Sequence, residues 1–225
     1  MATHLDLQEQ EQVDQLKAFW KQYGNLITWT LILALGGFAA WNGWNLWQRD
    51  QASKASAMFD ELERAALVAD VERSARVFAD LKERFPRTAY AQQAALLAAK
   101  VQADKGQTDA ALATLAWAGD NASDDEYRTI ARLRAAGLLM DKKQYDAALA
   151  QLDAAAQGQN AREFAALLDD RRGDVLFAKG DKDGARKAFE AAYKAMDDKL
   201  EYRRLIDAKL TALGAAPAPA SGAAK

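Results

Sequence analysis

His4 is the only histidine in the chain, and there is no cysteine. A thiolate metal site, a disulfide and a cysteine nucleophile are therefore excluded. A lone imidazole near a terminus is solvated far more often than catalytic. Two groups of carboxylates remain. "DDE" at Asp124, Asp125 and Glu126 fits a helix start, where negative charge meets the helix N-terminus. "LDDRRGD" at 168–174 fits a helix face with i,i+3 or i,i+4 ion pairs. No glycine-rich phosphate loop, HExxH or GxSxG is present. The expectation is a protein with no catalytic residues, no metal site and no cofactor, and not an enzyme.

One further spacing has a physical use. Gly36-xxx-Ala40 and Ala39-xxx-Gly43 place small residues one helical turn apart. At that spacing two membrane helices approach closely. Two readings fit Gly36, Ala39, Ala40 and Gly43: a packing face of a span, or filler, since small residues are common in spans.

These residues lie in an uncharged stretch. Nothing between Lys21 and Arg49 is charged at neutral pH, and the most apolar part covers residues 24–44. As a helix it reaches about 30 Å, the hydrocarbon thickness of a bilayer. Trp20, Tyr23 and Trp29 sit at one end, and Trp41, Trp44 and Trp47 at the other. Indole rings favour the membrane–water interface, and a soluble core helix needs no such belts. A cleaved signal peptide is disfavoured, because the leader is long and acidic where a short positive one is usual. The stretch reads as one transmembrane helix, with Asn42 and Asn45 near an interface. Lys17 and Lys21 flank one end and Arg49, Lys54 and Arg64 the other, so the positive-inside rule gives no orientation.

The chain of 225 residues suits an anchor and one domain. Half of it is apolar, Ala supplies much of that, and prolines number only three. Ala favours closely packed helices, and strands have few Val, Ile or Thr to use. An all-α fold is expected. Residues 1–50 hold three basic and five acidic groups, so the 30 and 32 of the whole chain leave 27 of each sign beyond them. No broad basic field exists to hold nucleic acid. Residues 48–69 contain neither Gly nor Pro. The membrane helix is therefore expected to run on into the first soluble helix.

After the span a period of 37 residues appears. Apolar columns keep it: Ala111, Ala148 and Ala185; Phe78, Leu115, Leu152 and Phe189; Leu81, Ala118, Ala155 and Ala192; Tyr90, Tyr127 and Phe164; Leu62, Ala99, Ala136 and Gly173; Val101, Leu138 and Val175. Polar turns repeat with them, in "DKGQTDAAL", "DKKQYDAAL" and "AKGDKDGAR". Each unit reads as a helical hairpin whose alanines mark close helix crossings. Gly106 and Gly180 suit helix C-termini, where a left-handed residue costs Gly little. Lys143 takes that place in the middle unit, so a longer or straighter turn is expected there. In "EYRRLIDAKLTAL", Tyr202, Ile206, Leu210 and Leu213 form one stripe, which reads as a capping helix. "GAAPAPASGAAK" reads as a disordered tail.

The hairpin pattern resembles the tetratricopeptide repeat: a small residue in the first helix, a turn Gly, then A-L-x-x-L/F-x-x-A. Its period is 37 instead of 34, and only "RFPRTAYA" ends its unit with a proline, Pro86. The N-terminal "EQEQVDQLKAFWKQYGNLI", followed by a span ending "WNLW" and such repeats, resembles the YfgM family, the ancillary subunit of the SecYEG translocon in Gram-negative bacteria. The shared features are Glu11–Gln12, Leu16, Lys17, the aromatic pair Phe19–Trp20, Lys21, Gly24 and "FPRTAYA". This resemblance implies an inner-membrane anchor with a cytoplasmic N-terminus and periplasmic repeats. It also implies partnership with the SecYEG translocon and the periplasmic chaperone PpiD, and handling of emerging secretory chains. The expected organisation is a cytoplasmic segment at 1–23, a transmembrane helix at 24–47, a repeat domain at 48–213 and a tail at 214–225. A general envelope scaffold, gripping another assembly through its repeat groove, is the alternative.

Overall fold

The computed structural model describes residues 7–197 and 201–215. Within them are nine helices and no strand: α1 (Leu7–Leu67), α2 (Val71–Arg84), α3 (Ala89–Asp104), α4 (Thr108–Asn121), α5 (Asp125–Asp141), α6 (Tyr145–Ala156), α7 (Ala161–Lys179), α8 (Lys182–Ala195) and α9 (Tyr202–Ala212). The fold is all-α, as the composition implied. His4 and the expected tail from 216 onward lie outside the described residues. The chain divides into two units, residues 1–51 and 52–225.

In the first unit, α1 satisfies its own polar groups. Thr28 and Thr30 donate their hydroxyls to the carbonyls of Gly24 and Leu26, at 2.7 and 2.8 Å. Asn42 donates its side-chain amide to the carbonyl of Phe38 at 3.1 Å. In hydrocarbon, where no water is available, such internal bonding removes the penalty of a bare polar group. Asn42, expected near an interface, is thus bonded within its own helix.

In the second unit the 37-residue period becomes a stack of hairpins. Each helix from α2 onward packs on the next in sequence, and α3, α5 and α7 also touch in series. That makes a first layer of α3, α5 and α7 and a second of α2, α4, α6 and α8. The end of α1 contributes Ala55 and Leu62 to the first core cluster, beside Phe78, Leu81 and Ala99. The columns read from sequence lie inside: Ala111, Ala148, Ala185, Leu152, Ala118, Ala192 and Ala136 are all fully buried. Tyr90, Tyr127 and Phe164 are half-buried. The stripe of α9 also packs as expected, with Ile206 and Leu210 in a third cluster alongside Phe189 and Ala192.

The period extends to the backbone of the turns. Ala69, Gly106, Lys143 and Gly180 stand 37 residues apart, with φ of 52°, 77°, 60° and 95°. At each, the next amide reaches back five residues: Asp70 to Ala65, Gln107 to Gln102, Gln144 to Leu139 and Asp181 to Leu176, at 2.8–2.9 Å. This is the hydrogen bond of a Schellman turn, which satisfies a carbonyl the helix end leaves open. The expectation of a longer or straighter turn at Lys143 is therefore corrected. The hairpin keeps its geometry, and the lysine itself takes the left-handed conformation. A side chain there costs about 1–2 kcal/mol relative to glycine. Lys143→Gly is expected to stabilise the protein by about 1 kcal/mol. The midpoint of denaturant unfolding should rise with an unchanged slope; a lower midpoint would contradict the turn assignment.

Candidate functional site

Gly36, Ala39, Ala40 and Gly43 all fall on α1 and all are exposed. At about 100° per residue they share one narrow face. A Cβ added at Gly36 or Gly43 would meet nothing within 4 Å. By length and composition α1 is apolar enough to cross a membrane, and its most apolar part is almost wholly exposed.

The second surface lies along the first layer of the hairpin stack. A depression of about 460 Å³ is bounded by Lys100 and Asp104 of α3, Arg134, Gly137 and Asp141 of α5, and Arg171 of α7. A neighbouring one of about 380 Å³ shares Lys100 and Asp104 and is floored by Ala66, Leu97 and Val101. A Cβ at Gly137 would make only ordinary contact with the Arg171 guanidinium, at 3.7 Å. Arg134 and Arg171 are 37 residues apart, a basic column that the sequence contained but that the apolar columns concealed. The site holds three basic groups, two carboxylates and apolar walls. Among its lining residues no nucleophile stands beside a base. Among the described residues no cluster of three or more His, Asp or Glu is placed to hold a metal.

The two carboxylate groups read from sequence have structural partners. Asp124 caps α5, accepting from the amide of Glu126 at 3.0 Å. Asp125 accepts from the Gln159 amide at 2.8 Å. Asp170 departs from the expected face of local ion pairs. It is 3% exposed and bonds across to α9, accepting from Lys209 at 2.8 Å and from the Tyr202 hydroxyl at 2.7 Å. Lys209 also reaches Asp174 at 2.7 Å and lies over the Phe189 ring. Burial, the hydrogen bond to Asp170 and the two carboxylates push the Tyr202 phenol up to about 12. The neutral phenol is favoured in the fold, so its contribution is intact below pH 10 and is lost as pH rises towards about 12. This cluster fastens the last helix to the stack.

Residues 17–215 match the family described as "Tetratricopeptide repeat-like domain". The chain belongs to that family. The tetratricopeptide repeat-like array accounts for the helical hairpins and their turn column. Among curated proteins, the chain is 31% identical over 124 residues to the "Ancillary SecYEG translocon subunit" of Haemophilus influenzae, across 55% of this chain and 60% of that one. It is 32% identical over 135 residues to the protein of the same name from Neisseria gonorrhoeae, across 58% of this chain and 62% of that one. The chain thus spans about 60% of the length of these relatives. Together the relatives and the repeat-like domain support the YfgM family assignment drawn from the N-terminal run. Family names and domain type point to an adaptor or scaffold, not an enzyme.

Proposed function

We propose that the protein is a non-enzymatic, membrane-anchored adaptor at the SecYEG translocon. It spans the bacterial inner membrane once, with its N-terminus in the cytoplasm and the repeats in the periplasm. The span docks at the translocon, with Gly36, Ala39, Ala40 and Gly43 as its packing face. The repeat array recruits a periplasmic chaperone of the PpiD type and helps to handle secreted chains as they emerge. One observation carries the reading: an apolar N-terminal helix and a tetratricopeptide repeat-like array share a chain whose relatives are named as translocon subunits. The groove around Arg134 and Arg171 supports holding as the mode of action, since it offers surface and charge without a reacting group.

Orientation is tested with a reporter active only in the periplasm, fused after Lys225. It should be active, while a cytoplasmic reporter at the same place should be silent. Docking is tested by replacing Gly36, Ala39, Ala40 and Gly43 with Leu. Close helix contact depends on small residues, so translocon association should weaken while the repeats stay folded. Deleting residues 50–225 should abolish chaperone contact and leave the span co-migrating with the translocon on blue-native gels. Loss of the translocon on deletion, with the Leu-substituted span retaining it, would place that contact in the repeats.

A further inference from the structure

Arginines elsewhere in the stack hold carboxylates: Arg73, Arg128 and Arg172 do so at 2.9, 2.7 and 2.6 Å. In the larger depression of the first layer this pattern breaks. Among the described residues Arg134 has no carboxylate partner. It donates to the Leu96 carbonyl at 3.2 Å, which leaves most of its N–H groups unused. Arg171 stands 4.0 Å from Asp174, whose carboxylate is already held by Lys209 at 2.7 Å. Arg134 is exposed and Arg171 half-buried, so both are within reach of a ligand. The acids on the same surface do not fill the gap. Asp104 is tied to Lys100 at 2.5 Å, and Asp141 makes no ion pair among the described residues.

The layer sets the spacing. Leu97, Arg134 and Arg171 stand 37 residues apart, on α3, α5 and α7 in turn. These helices touch in series, and packed helices lie about 8–10 Å apart. Leu97 is half-buried and lines the neighbouring depression. The surface thus offers one apolar spot and then two basic ones, at even steps. A polyproline II chain rises about 3.1 Å per residue with three residues per turn, so every third side chain points the same way about 9 Å further on. Its rise matches the helix spacing.

We propose that this surface binds an extended segment of another protein in which an apolar residue and two acidic ones recur at every third position. The apolar side chain lies over Leu97, and the two carboxylates meet Arg134 and Arg171. The proposal rests on the reading of the array as the holding part of an adaptor. A guanidinium takes a carboxylate through two parallel N–H bonds. Asp141 accepts from the backbone amides of the segment, which polyproline II leaves unbonded. The same carboxylate disfavours a phosphate, whose higher charge it would repel.

The test is fluorescence anisotropy on the detergent-solubilised full chain. The probes are a synthetic peptide reading Leu-Ser-Ser-Asp-Ser-Ser-Glu, with glycine flanks and blocked ends, and the same peptide in reverse order. At least one order should bind, and its isostere with Asn and Gln should bind about tenfold more weakly. A peptide with the two acids adjacent should lose about as much. Arg171→Gln should weaken binding about tenfold, with Arg171→Lys between, since lysine keeps the charge without the fork. Gly137→Glu places a carboxylate of the chain's own beside the arginines. The added Cβ makes only ordinary contact, and Glu is a better helix former than Gly. Binding should fall about tenfold with no drop in the unfolding midpoint. No binding in either order, equal binding of the isostere or of the adjacent-acid peptide, or indifference to both Arg171→Gln and Gly137→Glu would each overturn the proposal. Such a failure, with translocon subunits still co-purifying from membranes, leaves the adaptor reading standing. Peptide binding as expected, without translocon subunits in the membrane pull-down, supports the inference and counts against the translocon reading.

Discussion

Gly173→Ala should destabilise the fold, and the same change should stabilise it when Phe189 is replaced by Leu. In α7 the Gly173 position faces the Phe189 ring. An added Cβ would stand 2.8 Å from Cζ and closer still to Cδ1 and Cε1. Overpacking of a filled core costs about 1–3 kcal/mol. Ala in a helix interior returns up to about 1 kcal/mol over Gly. The net loss expected is about 1–2 kcal/mol. The preceding repeats show how to relieve it. Where this column holds Ala99 or Ala136, the residue sixteen positions on is Leu115 or Leu152. Phe189→Leu alone should lose about 1 kcal/mol by leaving space. In that background the Ala methyl has room, and only the helix-propensity gain remains. A coupling energy of about 1.5 kcal/mol or more in a double-mutant cycle is expected. Additive effects would show that the two side chains do not compete for volume.

Lys209→Ala should be the most damaging surface-accessible change at the C-terminal end. It leaves Asp170 buried with only the Tyr202 hydroxyl, and Asp174 without its partner in α9. Removing one member of a buried pair costs about 3 kcal/mol, chiefly through the stranded charge. A helical-hairpin stack contacts mainly its neighbours, so the loss should appear first as fraying of α9. Limited proteolysis should cut within α9 under conditions that leave α3–α6 intact. Lys209→Met together with Asp170→Asn removes both charges and should recover most of the stability. If Lys209→Ala alone leaves both unfolding midpoint and proteolysis unchanged, α9 is held by Ile206 and Leu210 without help from the ion pair.

The helical hairpins were legible because their packing repeats. Each hairpin buries side chains at the same heights, so Ala111, Ala148 and Ala185 report the same helix crossing at 37-residue intervals. The turn column was half legible. Gly106 and Gly180 signal left-handed residues by type, whereas Ala69 and Lys143 do so only by position. The stack fixes the turn there and overrides local preference. The role of Asp170 was hidden for a different reason. Its partners lie 32 and 39 residues away on a helix outside the repeat, so local spacing showed only neighbours with which to pair. Gly173 was visible as a column member, but its meaning needed the facing column. At the first repeat the corresponding pair, Leu62 and Phe78, is large on both sides; the structure offers no volume compensation for it. The groove column Arg134 and Arg171 was concealed because attention to apolar periodicity passes over exposed charges.

The anchored-adaptor reading meets its most direct test in a pull-down of the tagged full chain from detergent-solubilised native membranes, quantified by mass spectrometry against the Leu-substituted span. Translocon subunits should lead the enriched proteins, with a PpiD-type chaperone beside them. Replacing Gly36, Ala39, Ala40 and Gly43 should deplete the translocon and spare the chaperone. Absence of translocon subunits, with another envelope assembly enriched in their place and unaffected by the span substitutions, would contradict it.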